Sequence, residues 1–385
     1  MIQDNNNTHT TLKQQFSVPF EYPLHYTRGS LAPENLRLAN LIVNHADHPV
    51  ILPVLDEGLL KGQPRLPEQL KHYAAAHSLN LLPPLIAAGG EACKQNTELL
   101  ERIYDAVVEH RIDRHAYILV AGGGAIIDAV GYAAATAHRG IRLIRMPSTV
   151  LAQNDAAVGV KNAINYAERK NFLGTFVPPY AVISDFDWLD SLEARDKRAG
   201  IAEAIKVALI KSPAFFQWLY EQRQALARFE HRAVETMIIE GARWHLDHIA
   251  HQGDPFEMGS ARPLDFGHWS AHKLEALSQH SLRHGEAVAI GIAMDSIYSH
   301  KAGRLSDAAL AQILTLLTDL GFSLHHPALD RLNVHQALDE FREHLGGRLC
   351  ITLLNGLGDA EEVTYIDADL MDASKQSLSQ LPGAA

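Results

Sequence analysis

The stretch Tyr117-Ile118-Leu119-Val120-Ala121-Gly122-Gly123-Gly124-Ala125-Ile126-Ile127-Asp128 decides the fold. Its β-prone apolar start predicts a buried strand, and the glycines that follow close it. The apolar residues after Gly124 then open a helix. Glycines at such a turn let backbone approach a diphosphate, and the helix N-terminus behind them offers unpaired N–H groups and a positive dipole end. The turn is not GxGxxG, so it suits a nucleotide site or a plain strand-to-helix connection equally.

Working outward, Val50–Leu55 closed by Asp56, Leu81–Ala87, and Leu143–Met146 closed by Pro147 predict further strands, with a helix over Gln95–His110. Strands alternating with helices predict a parallel sheet covered on both faces, with ligands beyond the carboxyl ends of its strands. After about Asp187 the texture changes. Leu192–Ile210, Ala233–Ala250, His268–Ser278, Gly285–Lys301 and Ser306–Leu320 predict helices, and Leu349–Leu354 leaves one β signal. The chain therefore reads as a disordered arm over 1–15, an α/β domain over 16–187 and a mainly helical domain over 188–385. A site in the cleft between the two halves is expected.

Composition fits this reading. A length of 385 residues suits two domains, and 47% hydrophobic with 21% charged residues is ordinary globular material. The balance of 34 Lys+Arg against 45 Asp+Glu, net −11, argues against a nucleic-acid or membrane-surface binder. It leaves a small anionic substrate open. Cys93 and Cys350 alone provide neither a disulfide framework nor a thiolate metal cluster. The polar N-terminus has no basic-then-apolar signal pattern. No apolar run reaches the roughly 18 to 20 residues that span a bilayer. A cytoplasmic protein is expected.

Three further motifs carry chemistry. Gly90-Glu91-Ala92-Cys93-Lys94 follows the second strand and reads alone as a solvated helix start. Asn154-Asp155, Lys161-Asn162 and Arg169-Lys170-Asn171, interspersed with Gly159 and Gly174, suit a phosphate ester or a solvated loop. Glu203 and Lys206 share a helix face at i,i+3, His268 and His272 share another at i,i+4, and His284 follows. One carboxylate with two imidazoles is a catalytic zinc set that leaves a position for substrate. Among 22 histidines such a pair also arises by chance, and no HExxH is present.

In their order, these motifs resemble the 3-dehydroquinate synthase superfamily, the sugar phosphate cyclases. GGGAIID, Arg139-Gly140-Ile141, Pro147-Ser148-Thr149, Asn154-Asp155, GVKNAI, RKN and AGIAEAIK match from Gly122 to Lys206, and the likeness extends from about Asp56 to Leu354. The resemblance implies a Rossmann-like nucleotide-binding domain followed by a helical metal-binding domain. It implies NAD held by Asp56, Glu91, Lys94, Gly123, Gly124, Ala125, Asp128, Ser148 and Thr149. Zinc or cobalt would be held by Glu203, His268 and His284. Lys161, Asn171 and His272 would hold the substrate phosphate, with Arg139 reaching in from the partner of a homodimer. Asp155, Lys206, Asp265 and Glu257 would line the remaining polar pocket as catalytic groups, with Lys170 also near substrate. The implied reaction is transient oxidation of a secondary alcohol, phosphate elimination, re-reduction and intramolecular aldol closure, without net redox.

Departures from the pattern bear on the sugar. Dehydroquinate synthases place a Lys, an Arg and an Asn ahead of the first metal His; here Asp247, Ala261 and Asp265 stand there, with Arg262 adjacent. Losing a cation and gaining carboxylates disfavours a carboxylate-bearing sugar. Asp265 resembles instead the cyclases of sedoheptulose 7-phosphate, such as those making 2-epi-5-epi-valiolone. His344 and the leading stretch Phe20–Thr27 point the same way. The alternatives are 3-dehydroquinate synthase, 2-deoxy-scyllo-inosose synthase, a metal-dependent polyol or glycerol-phosphate dehydrogenase, and an inactive relative that only binds a ligand.

Overall fold

The computed structural model describes residues 11–42, 49–167, 169–251, 255–256, 263–279, 281–344, 347 and 349–380. A seven-stranded sheet organises the first half. It comprises β1 (Leu24–Thr27), β2 (Val50–Asp56), β3 (Asn80–Leu81), β4 (Leu85–Ala87), β5 (Tyr117–Gly122) and β6 (Arg142–Pro147). Beyond the separate hairpin of β7 (Lys161–Tyr166) and β8 (Arg169–Phe176), β9 (Ala181–Asp185) completes it. The strand order is β1-β9-β6-β5-β2-β3, with β4 also on β2, and every pairing in this sheet is parallel. β5 is buried along its whole length, as a central strand covered on both faces must be.

The expected run Leu81–Ala87 is split into β3 and β4. Pro83 and Pro84 fall between them and have no N–H to give a ladder. The polar stretch 161–176 is the antiparallel β7–β8 hairpin, with Lys161 opposite Phe176 and Ala163 opposite Gly174. Arg145, fully buried on β6, anchors it. Its guanidinium donates to the carbonyls of Ala157, Gly159 and Lys161 and to Asn162 Oδ1.

Five helices position the site: α1 (Gly124–Thr136), α2 (Ala194–Lys211), α3 (His231–His251), α4 (His268–Leu277) and α5 (His284–Lys301). α5 is buried from Gly285 to Ser299 except for Glu286, and small residues let its neighbours come close. A Cβ on Gly291 would stand 2.0 Å from the Gly267 carbonyl oxygen, and one on Gly285 would stand 1.8 Å from that of Ala199. Inside α5, Asp295 accepts from Trp269 Nε1 at 3.0 Å and from the Gly267 N–H at 3.1 Å. These contacts seat the start of α4 on α5. A short hairpin of β10 (Ile351–Gly356) and β11 (Asp359–Val363) covers the helices, in place of the single expected β segment. Among the described residues no helix is long and apolar enough to cross a membrane.

Candidate active site

The carboxyl ends of the parallel strands form one wall. Asp56 ends β2, where its carboxylate accepts from the Gly58 N–H at 2.7 Å and the Gly123 N–H at 3.4 Å. Gly123 caps α1, Gly124 and Ala125 open it, and the Ser148 N–H donates to the Gly122 carbonyl at 2.9 Å. Thr149 Oγ1 accepts from the Ala152 N–H at 3.1 Å. A side chain on Gly89 would collide with Asp56, at 2.2 Å from Oδ2, so bare backbone is required beside this carboxylate.

Glu91 and Lys94 lie on a tight helical turn, Glu91–Lys94. The buried Lys94 ammonium is 2.9 Å from Asp128 Oδ2 and also donates to Asn171 Oδ1. The fold thus joins two of the expected nucleotide residues to an expected phosphate residue. Asn171 adopts the left-handed φ of 52°, and its N–H donates to Asn165 Oδ1, while Asn165 Nδ2 donates to Glu91.

The opposite wall is helical. Glu203 on α2, His268 at the start of α4 and His284 at the start of α5 converge, with a ligand atom from each within 4.8 Å of the others. Both Nε2 atoms face Glu203 Oε1, at 3.4 Å from His268 and 3.3 Å from His284. The other nitrogen of each ring is occupied: His268 Nδ1 lies 3.1 Å from the Phe266 carbonyl, and His284 Nδ1 lies 3.2 Å from Glu275 Oε2. Both Glu203 oxygens are buried without a well-directed hydrogen bond, although Lys206 Nζ stands 2.5 Å from Oε2. An under-satisfied buried carboxylate facing two imidazole nitrogens is a donor set suited to a divalent cation.

Burial alone would raise the Glu203 carboxyl, but Lys206 and His268 outweigh it and hold the group well below the carboxylate range. Burial would likewise depress the Lys206 ammonium, yet Glu203 and Asp155, and more weakly Asp265, raise it. Lys206 therefore stays cationic. For Asp155, burial is outweighed by Lys206 and His245, and the carboxyl is lowered.

His245 was missed in the sequence. It lies on α3 with Nδ1 2.9 Å from Asp155 Oδ1, and an i,i+3 pair with His248 inside the expected helix was its one local signal. Lys170, expected near substrate, is engaged: Nζ is 3.0 Å from Glu275 Oε1 and 3.9 Å from Glu91 Oε1. The His272 ring centroid is 5.6 Å from that of His268 and 6.0 Å from that of His284. Lys161 begins β7 with its side chain exposed. Asp265 ends the turn Pro263–Asp265, three residues before His268. Arg139 is exposed in a left-handed turn, φ 62°, beyond the C-terminus of α1. Glu257 and Arg262 lie outside the described residues, as does the side chain of His344, whose backbone ends the helix Val334–His344.

A parallel sheet with a glycine turn, followed by a helical half carrying one carboxylate and two imidazoles, defines a dehydroquinate synthase-like α/β protein. Residues 84–199 match the family described as 3-dehydroquinate synthase N-terminal, and residues 200–343 match 3-dehydroquinate synthase C-terminal. The chain belongs to the 3-dehydroquinate synthase family of sugar phosphate cyclases. It is 34% identical to the 3-dehydroquinate synthase of Nitrosococcus oceani over 92% of this chain and 95% of that one. Against that of Halorhodospira halophila it is 36% identical over 68% and 73%. The 2-epi-5-epi-valiolone synthase of Streptomyces hygroscopicus, solved with NAD+ and Zn2+ bound, superposes with a TM-score of 0.86 at 28% identity, covering 96% of this chain and 99% of that one. A 2-deoxy-scyllo-inosose synthase complexed with carbaglucose-6-phosphate, NAD+ and Co2+ shares the fold, with a TM-score of 0.75 at 20% identity over 92% and 96%.

Proposed function

We propose that this chain converts a heptulose phosphate that carries no carboxylate, sedoheptulose 7-phosphate, to a C7 cyclitol such as 2-epi-5-epi-valiolone. The observation that carries the choice of sugar is Asp265, a carboxylate whose charge acts on Lys206 and His272 in the expected substrate pocket. A second carboxylate, on the sugar, would meet it with like charge in a partly desolvated site. Support for the reaction class comes from the family and from the 2-epi-5-epi-valiolone synthase likeness.

In this reading Asp56, Glu91, Lys94, Gly123, Gly124, Ala125, Asp128, Ser148 and Thr149 would hold NAD, and Glu203, His268 and His284 would hold the divalent cation, zinc or cobalt. When bound, these groups supply reversible hydride acceptance and Lewis acidity. Lys161, Asn171 and His272 bind the phosphate. Lys206 Nζ, held cationic, donates to a substrate hydroxyl, and Asp155 with His245 holds a proton at Nδ1 of that ring. Glu257, Arg262 and His344 are assigned to the substrate by the resemblance alone. Residues 16–187 form the NAD domain and 188–385 the metal domain. The enzyme works as a cytoplasmic homodimer. Arg139 lies beyond the far end of the 13-residue α1 from Gly123, about 20 Å along its axis, which suits a role in a partner's site.

A second reading, 3-dehydroquinate synthase, is favoured by the names of the curated relatives. One assay panel separates the two: phosphate release from sedoheptulose 7-phosphate, 3-deoxy-arabino-heptulosonate 7-phosphate and glucose 6-phosphate, each with NAD and zinc or cobalt. Release from the first is expected. Turnover of the carboxylate-bearing sugar alone overturns the assignment.

A further inference from the structure

The two imidazoles facing Glu203 are held differently. His268 Nδ1 meets a backbone carbonyl, that of Phe266, whereas His284 Nδ1 meets the Glu275 side chain. Glu275 lies on α4 with its side chain only 6% exposed, and its other oxygen accepts from Lys170 on β8, a residue 105 positions away in sequence. A buried carboxylate is tolerated when both oxygens are engaged, as these are, and breaking either partnership is costly.

We propose that Glu275 is a positioning residue for the candidate metal centre. It holds the His284 proton on Nδ1, so that the lone pair of Nε2 points towards Glu203, and Lys170 in turn holds Glu275. Lys170 is then not a phosphate ligand. It is the strut through which the β7–β8 hairpin supports one metal ligand. A carboxylate behind a ligating imidazole also increases the basicity of that ring, and loss of such a partner typically weakens metal binding by roughly ten- to a hundred-fold. This inference rests on the metal reading of Glu203, His268 and His284 given above.

The test is Co2+ titration of the full chain, followed by competition with a chromophoric chelator and by the visible absorption of bound Co2+. Glu275→Ala is expected to weaken Co2+ by roughly ten- to a hundred-fold and to alter the intensity of its bands as His284 reorients. Glu275→Gln, an isosteric change whose amide oxygen still accepts from Nδ1, is expected to lose roughly several-fold and to recover most of the spectrum. It also keeps the test decisive if Glu275→Ala does not fold. Lys170→Met is expected to fall between wild type and Glu275→Ala. Wild-type affinity and spectrum in a folded Glu275 variant overturn the positioning role, and wild-type affinity in Lys170→Met overturns the strut. Glu203→Ala serves as the separate control: unchanged Co2+ binding there overturns the metal reading itself.

Discussion

Asp155 Oδ1 lies 2.9 Å from Nδ1 of His245, joining the turn after β6 to the helix α3. The pair brings a titratable imidazole to a carboxylate whose charge also acts on Lys206. Replacing His245 by Gln removes the proton-holding ring and leaves a polar side chain of similar size. A fall in kcat of roughly a hundred-fold is expected, at the low end for loss of an acid–base group. Steady-state phosphate release checks it, and an unchanged kcat would remove His245 from the reaction.

Arg145 makes a stability prediction. It serves three carbonyls and Asn162 Oδ1 from a fully buried position. Arg145→Met fills similar space but leaves those acceptors unpaired, at about 3 to 5 kcal/mol in total. Denaturant unfolding reads the loss directly. Because the hairpin carrying Lys161 hangs on the same bonds, KM for the sugar phosphate should rise as well.

Gly291→Ala tests the docking of α5. The new methyl would stand 2.0 Å from the Gly267 oxygen, which is backbone and cannot swing aside. Helix separation must increase, at a cost of about 1 to 3 kcal/mol. Gly267 directly precedes His268, so Zn2+ affinity should fall together with thermal stability. A stable variant with unaltered Zn2+ affinity would contradict this link between packing and site.

Asp295 predicts a pH dependence. Burial outweighs its bonds from Trp269 and Gly267 and pushes the carboxyl up to about 7 from an ordinary value of 3.8. Between those values the folded state holds a proton that the unfolded state has released, so stability falls as pH rises from about 4 to about 7 and is level above. The contribution is roughly 4 kcal/mol across the window. Asp295→Asn lacks this slope. Its stability relative to wild type should therefore improve from pH 5 to pH 7.5 in urea titrations, and parallel curves would refute the raised carboxyl.

Much of this site was legible in residue order. The strand, the glycine turn and the helix of 117–136 are local choices, set by apolar β-prone residues, glycine backbone freedom and helical spacing, and β5 and α1 appear where those choices put them. The Pro83-Pro84 break is also local, a consequence of two missing N–H groups, yet Leu81–Ala87 reads across it as one run. The β7–β8 hairpin was not. Its alternation is weak, and it forms beside Arg145, whose pairing with residues 157–162 needs the strand order of the sheet.

The same division runs through the functional residues. Glu203, His268 and His284 could be named together through the resemblance carried by motif order; their spacing alone leaves them a chance arrangement among 22 histidines. Helical period says which residues share a face, not which faces meet. That His245 reaches Asp155 followed from α3 packing beside the turn after β6, where a Cβ on Gly241 would stand 3.5 Å from that of Asn154. That Glu275 stands beside His284 followed from α4 and α5 meeting at Gly267 and Gly291, where contacts too close for a side chain set the separation.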